Sequence, residues 1–244
     1  MRFFSLVALI ALWVVASQFG DDRHLPGPVA VFSAIGKAAA SGELFTAMGI
    51  TMSRVAAAFT LAMAAGSALG YAMGRRALID RVADPWVVIL LNLPALVIIV
   101  LAYIWAGLNE AAAIAAVALN KLPVATVTIR EGVRALDPGL DEMARVFGFS
   151  ALKRLRHLAL PQLAPYFAAA TRSGLSLVWK IVLVVELLGR PNGIGFEIGE
   201  AFQLFDVPLL LAYALPFTIV MLMIEAFVVQ PFERRVSRWR PRPA

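Results

Sequence analysis

Five side chains with chemistry to offer sit inside otherwise apolar stretches: Lys121, Arg172, Trp179, Lys180 and Glu186. Ionisable groups in apolar runs are costly and by default face a protein interior or a water-filled path. Lys121 and Lys180 lie at similar depths, about 12 to 17 Å from the same-side ends of their runs at the helical rise. Two readings stand for them: attraction of a crossing anion, or pairing with Glu186, with helix carbonyls or across a dimer interface. The pairing reading is preferred. Arg172, Trp179 and Glu186 recur every seven residues, so they share one face of a helix within about 40° of drift, and structural lining is their preferred role. Arg54, near the end of its run, reads as a snorkelling side chain.

The same inventory excludes most catalysis. The chain has no Cys and only two His, His24 and His157; this removes thiolate chemistry and a His-rich metal cage. No acid–His or Ser–His group falls inside an apolar run. A phosphate-cradling G-x-x-x-x-G-K-[ST] loop is absent: Gly36-Lys37 has no Gly five residues upstream and is followed by Ala38. We therefore expect no catalytic residue, no metal site and no cofactor in this chain.

The elements that must position these groups follow from composition. Hydrophobic residues make up 61% of the 244 and charged residues 16%, with a mean hydropathy of +0.80. An ordinary soluble domain could not cover this much apolar surface with so little charge, and disorder is excluded on the same ground. A spanning helix needs about 20 mainly apolar residues. Six candidates occur, near 3–19, 46–74, 86–106, 111–128, 163–188 and 208–229. Continuous rather than alternating runs favour helices over a barrel. The competing reading of the first run is a signal peptide, with Val14 and Ala16 before a cleavage site; a retained span is preferred. Pro94, Pro123 and Pro216 favour kinks, and Gly66, Gly70 and Gly74 form a small-xxx-small ridge for close helix packing.

Charge orients the bundle. With the N-terminus inside, the inner segments carry fifteen Lys and Arg and the outer segments three: Arg23, Lys37 and Arg190. That bias places both termini in the cytoplasm. The net charge of +6 is then topology and lipid-headgroup contact, and nucleic acid is not an expected partner.

The inner segment 130–162 is long and charged. Asp137-Pro138-Gly139 is turn chemistry; a short helix follows and ends at Gly148, suited to a left-handed C-terminal position. Ser150 can cap a second helix, in which Leu152, Leu155 and Leu158 oppose Lys153, Arg154 and Arg156. Such a helix is expected along the membrane surface, ending at Pro161 before the fifth span.

Here the chain resembles ATP-binding-cassette importer permeases. Their cytoplasmic signature is Glu-Ala-Ala, three residues, Gly, nine residues, then Ile-x-Leu-Pro. This sequence has Glu142-Met143-Ala144, Gly148, then Leu158-Ala159-Leu160-Pro161, with Met143 and Leu158 as departures. The nitrate/sulfonate/taurine-type branch looks most similar, through Leu25-Pro26-Gly27-Pro28, Trp179 and Glu186, Gly193-Ile194-Gly195, and Glu233-Arg234-Arg235 with Trp239.

The resemblance implies an all-α integral membrane protein: a type I importer bundle of six transmembrane helices with cytoplasmic coupling helices, in a bacterial inner membrane. It divides the chain into a first span with an external segment (1–43), a permease core (44–232) and a basic tail (233–244). It implies ATPase coupling through Glu142, Ala144, Arg145, Gly148, Leu158, Leu160 and Pro161. The implied partners are two ATPase subunits that bind the ATP and Mg²⁺, a second copy of this permease and an extracytoplasmic solute-binding protein in contact with the 189–206 loop. The expected cargo is a small anion, nitrate or a sulfonate such as taurine. A secondary transporter or channel without an ATPase is the alternative; an intramembrane enzyme lacks a centre.

Overall fold

The computed structural model describes residues 2–19 and 24–236. Arg23 and the tail beyond 236, with Arg238, Trp239, Arg240 and Arg242, lie outside the described residues. Ten helices make up the described chain: α1 (Arg2–Phe19), α2 (Pro28–Ala40), α3 (Glu43–Arg75), α4 (Ala77–Asn92), α5 (Ala95–Ala106), α6 (Glu110–Arg134), α7 (Pro138–Val146), α8 (Ala151–Gly189), α9 (Ile194–Gln203) and α10 (Val207–Arg235). Among the described residues four helices, α3, α6, α8 and α10, are long and apolar enough to cross a membrane, and five if the bent pair α4–α5 counts as one.

Three expectations need correction. The run 86–106 is two helices meeting at a bend of 102°, far more than a kink. Pro94 has no N–H to donate, and it forces Leu93 into an extended conformation (φ −73°, ψ 126°), so the helix stops and restarts. Pro123 and Pro216, by contrast, lie inside helices that continue past them.

Second, Pro161 does not end a surface helix. α8 starts at Ala151 and runs unbroken into the span. A π-helical turn at Leu155–Ala159 stands just before Pro161; its wider i→i+5 bonding relieves the clash between a proline ring and the carbonyl four residues back. α10 repeats the device: a π turn at Glu225–Val229 precedes Pro231. Third, the 189–206 segment is not a plain loop, because α9 fills most of it.

The chain divides into two compact units, one of residues up to Arg54 with Val182–Leu222, the other of Val55–Ile181 with the residues from Met223. In the first, Pro28 opens α2 at its first turn after the extended Gly27, where a missing N–H costs nothing. The indole of Trp13 donates to the Pro26 carbonyl at 3.0 Å.

In the second unit α6 is the central strut. Its buried positions are mostly Ala and Val, and the small ridge of α3 presses on them. A methyl added at Gly66 would fall 2.7 Å from the Leu122 carbonyl oxygen, at Gly70 2.4 Å from that of Thr126, and at Gly74 2.5 Å from the Val133 side chain. Gly132 gives α6 the same closeness to Tyr166 of α8. Ile129, Val133, Ala159 and Leu163 close the core there.

Candidate functional site

The segment from Asp137 to Pro161 is built from local signals. The Asp137 side chain accepts from the Gly139 amide at 2.8 Å and Pro138 occupies the first turn of α7. The helix ends in a Schellman motif. Gly148 takes φ +66°, its N–H donates to the Arg145 carbonyl at 3.0 Å, and the Phe149 N–H donates to that of Ala144 at 2.8 Å. The Ser150 hydroxyl then caps α8 through the Lys153 amide.

Within this frame the signature residues divide. Ala144 is fully buried and anchors α7. Glu142, Arg145 and Gly148 are exposed, and beside them Val146 and Phe147 stand 85% and 72% exposed. Leu158 is half-buried, while Leu160 and Pro161 lie exposed in the third turn of α8.

What fastens α7 is Asp141, a residue that sequence reasoning passed over. Its carboxylate accepts from Arg154 of α8 at 2.7 Å, from Arg145 at 3.2 Å, and faces Arg75 at the end of α3 at 3.6 Å. The Arg154 hydrogen bonds hold the Asp141 carboxyl below the usual carboxylate range; partial burial opposes this, and the other two guanidiniums add to it. The available signal was the four-residue spacing to Arg145. Next to it, Arg130 and Arg134 of α6 hold Asp80 at 3.3 and 2.6 Å, and Arg130 also bonds Asp84, which ties α4 to α6.

The first unit contains a second electrostatic knot, and here the snorkelling reading of Arg54 fails. Arg54 is 3% exposed and Glu186 fully buried, and they pair at 2.8 Å. The second carboxylate oxygen of Glu186 accepts from the Thr51 hydroxyl at 2.9 Å and from the Gly195 amide at 2.8 Å. Thr51 in turn accepts from the Ile194 amide at 2.8 Å, and Arg54 donates to the carbonyl and side chain of Asn192 at 2.8 and 2.5 Å. Gly193-Ile194-Gly195 thus wraps the carboxylate. Gly193 sits at φ +106°, and a methyl there would fall 2.5 Å from the carboxylate.

The remaining predicted residues do not come together. Lys121 is fully buried, with Nζ lacking a hydrogen-bond partner; it lies against Gly174 of α8 and Phe59 of α3, and a methyl on Gly174 would sit 2.3 Å from its Cε. Lys180 is exposed, its ammonium 5.5 Å from the ring centroid of Trp179. Six residues separate Gly174 from Lys180, which turns them to different faces of α8. Arg172 is half exposed and bonds Glu233 at 3.0 Å. The heptad Arg172, Trp179 and Glu186 therefore shares a face but not an environment.

Residues 62–238 match the family described as "Binding-protein-dependent transport system inner membrane component". The chain belongs to this family. It is a permease subunit of an ATP-binding-cassette importer, a multi-pass inner-membrane component rather than an enzyme, and its system depends on a binding protein and an ATPase. The permease is 30% identical over 237 residues to the putative aliphatic sulfonates transport permease protein SsuC of Escherichia coli (strain K12), covering 96% of this chain and 90% of that one. It is 24% identical to the taurine transport system permease protein TauC of the same organism over 96% and 86% of the two chains. It is 25% identical to the bicarbonate transport system permease protein CmpB of Synechococcus elongatus (strain ATCC 33912 / PCC 7942 / FACHB-805) over 81% and 75%. Its fold is shared with a chain of the MetNI methionine ABC transporter in an inward-facing conformation, with a TM-score of 0.71 at 16% identity over 80% of this chain and 97% of that one. The family match takes in α7, Lys121 and Glu186 of the permease and stops short of Arg54 and Thr51.

Proposed function

We propose that this permease imports a small oxyanion, a sulfonate, taurine, nitrate or bicarbonate, as a pair of identical subunits on two ATPase subunits. The cargo class rests on the sulfonate, taurine and bicarbonate systems to which it is similar. The pair adopts six spans per subunit, α1 included, with both termini in the cytoplasm, and takes solute from an external binding protein on the α9 side. The observation that carries the docking is α7: Ala144 buried beneath, Glu142, Arg145, Val146 and Phe147 presented outward. Those four enter a cleft of the ATPase, and the unbroken α8 passes the ATPase stroke into the membrane.

Glu142, Ala144, Arg145 and Gly148, with Leu158, Leu160 and Pro161 at the root of α8, are the coupling residues of this reading. Co-purification with the ATPase and binding protein, followed by a screen of sulfonates, taurine, nitrate and bicarbonate for stimulated ATP turnover, tests it. Glu142→Ala with Phe147→Ser is expected to uncouple turnover from import; a complex in which α7 touches no ATPase residue overturns the docking.

Lys121 supports the anionic cargo. A buried ammonium without a partner seeks negative charge, and Gly174 leaves room for its end. Lys121 is the translocation-path cation, whereas Lys180, Trp179 and Arg172 line structure. Lys121→Met is expected to depress anion uptake in an assembled transporter, and Lys180→Met to leave it unchanged; equal uptake by both variants removes Lys121 from the path.

A further inference from the structure

We infer that the arginine-lined cavity at the junction of α3, α4 and α8 binds a phosphate-bearing anion, the headgroup of an anionic phospholipid. The inference does not depend on which solute is carried. The cavity has a volume of about 480 Å³ and is lined by Tyr71, Arg75, Arg76, Ile79, Arg154 and Leu155 among others. All of these belong to the second unit.

Its charge is unbalanced. Three arginines line it, and Asp141 answers two of them, Arg154 at 2.7 Å and Arg75 at 3.6 Å. Arg154 spends Nε and Nη2 on that carboxylate, which leaves Nη1 for a ligand. Arg76 has no ion pair with any described residue. The guanidinium of Arg75 lies 5.7 Å from the Tyr71 ring centroid, a cation–π contact that steadies it at the wall. Arg76 is also the extended residue (φ −133°, ψ 109°) from which α4 starts without a side-chain cap, so the first amides of α4 add partial positive charge. Guanidinium forks match phosphate oxygens two at a time.

The rest of the cavity suits a lipid. Ile79, Leu155, Ala72 and Ala151 give it apolar walls. α4 leads away from it with Leu78, Val82 and Trp86 exposed by 75%, 63% and 66%, a strip an acyl chain can follow. A basic pocket at the end of a spanning helix is where anionic headgroups lodge. Because Arg75 and Arg154 also hold Asp141, a headgroup in this cavity shares donors with the fastening of α7.

The test uses the full-length permease in detergent, supplied with a mixture of phosphatidylglycerol and phosphatidylcholine, and retained lipid read by native mass spectrometry. The wild type is expected to keep phosphatidylglycerol over phosphatidylcholine. Arg76→Gln, an exposed change at a helix junction, is expected to lower that retention about fivefold, the usual worth of one basic residue beside an anionic surface. Arg81→Gln, exposed on α4 but outside the cavity lining, is expected to retain lipid like the wild type. Ile79→Glu, which brings a carboxylate into the cavity, is expected to abolish the preference. Inorganic phosphate distinguishes the sources: no displacement by it assigns the site to a lipid headgroup, and displacement that Arg76→Gln also weakens assigns the same site to a soluble phosphate compound. Equal phosphatidylglycerol retention by the wild type, Arg76→Gln and Ile79→Glu overturns the inference.

Discussion

Glu186 and Asp141 are both carboxylates bound by arginine, in two regions with opposite solvents. Glu186 is fully buried with Arg54 as its cation and every oxygen answered by a donor. Asp141 is 20% exposed and shared by three arginines that are themselves 28% to 67% exposed. A buried pair contributes little net stability while it is intact, because desolvation offsets attraction, but it is severe to break. A solvated pair is worth about 1 kcal/mol or less and is screened by salt. The first kind fixes the Gly193-Ile194-Gly195 turn rigidly; the second fastens α7 loosely enough for a moving part.

Removing one buried partner is the largest test of this contrast. Arg54→Met leaves the Glu186 carboxylate without its cation and is expected to cost about 3–5 kcal/mol, seen as a large drop in the thermal unfolding temperature of the purified protein. Arg54→Met with Glu186→Leu is expected to recover most of the loss. A single variant as stable as the wild type breaks the comparison.

Two glycines sharpen it. Gly193→Ala puts a methyl 2.5 Å from the Glu186 carboxylate at φ +106°, and overpacking adds to backbone strain for about 1–3 kcal/mol or more. Gly148→Ala meets nothing within 4 Å at φ +66° and carries only the left-handed strain of about 1–2 kcal/mol. Thermal unfolding of both variants is expected to rank them in that order; the reverse order means that the Glu186 turn is the softer region.

Smaller still is Asp141→Asn, expected to cost about 1 kcal/mol or less. It should raise hydrogen exchange in α7 without moving global unfolding, and high salt should mimic it in the wild type but leave the Arg54 region unchanged. Acid gives the smallest effect. The Asp141 carboxyl is held below its ordinary value by Arg154, so its contribution is fully present above the unfolded value of about 4. It is lost as pH falls from there through the lower folded value. The protection of the α7 amides, corrected for the intrinsic pH dependence of exchange, is expected to be flat from pH 7 to 5 and to fall on further acidification.

Much of the site is legible in the sequence because its chemistry is local. Asp137, Pro138, Gly148 and Ser150 each act within five residues of themselves, as caps and turn formers, and each does what its residue type favours. The spacing from Glu142 to Pro161 named the family. Pro161 misled because its effect depends on whether the preceding turn can widen, and a π turn does not announce itself in residue types. Pro94 was legible as a kink, not as a stop with a bend of 102°.

Composition and periodicity determined that this protein is helical, apolar along most of its length, and equipped with a short charged helix between two long ones, because those properties depend on neighbours in sequence. Partnership across 132 residues does not. Only the tertiary structure decided that Arg54 is buried against Glu186 rather than reaching for the surface, that Lys121 is enclosed while Lys180 is exposed, and that Arg75 and Arg76 share one cavity with the distant Arg154. The reason is physical: what an ionisable side chain costs or contributes is set by the charges and the solvent beside it, and those are supplied by packing.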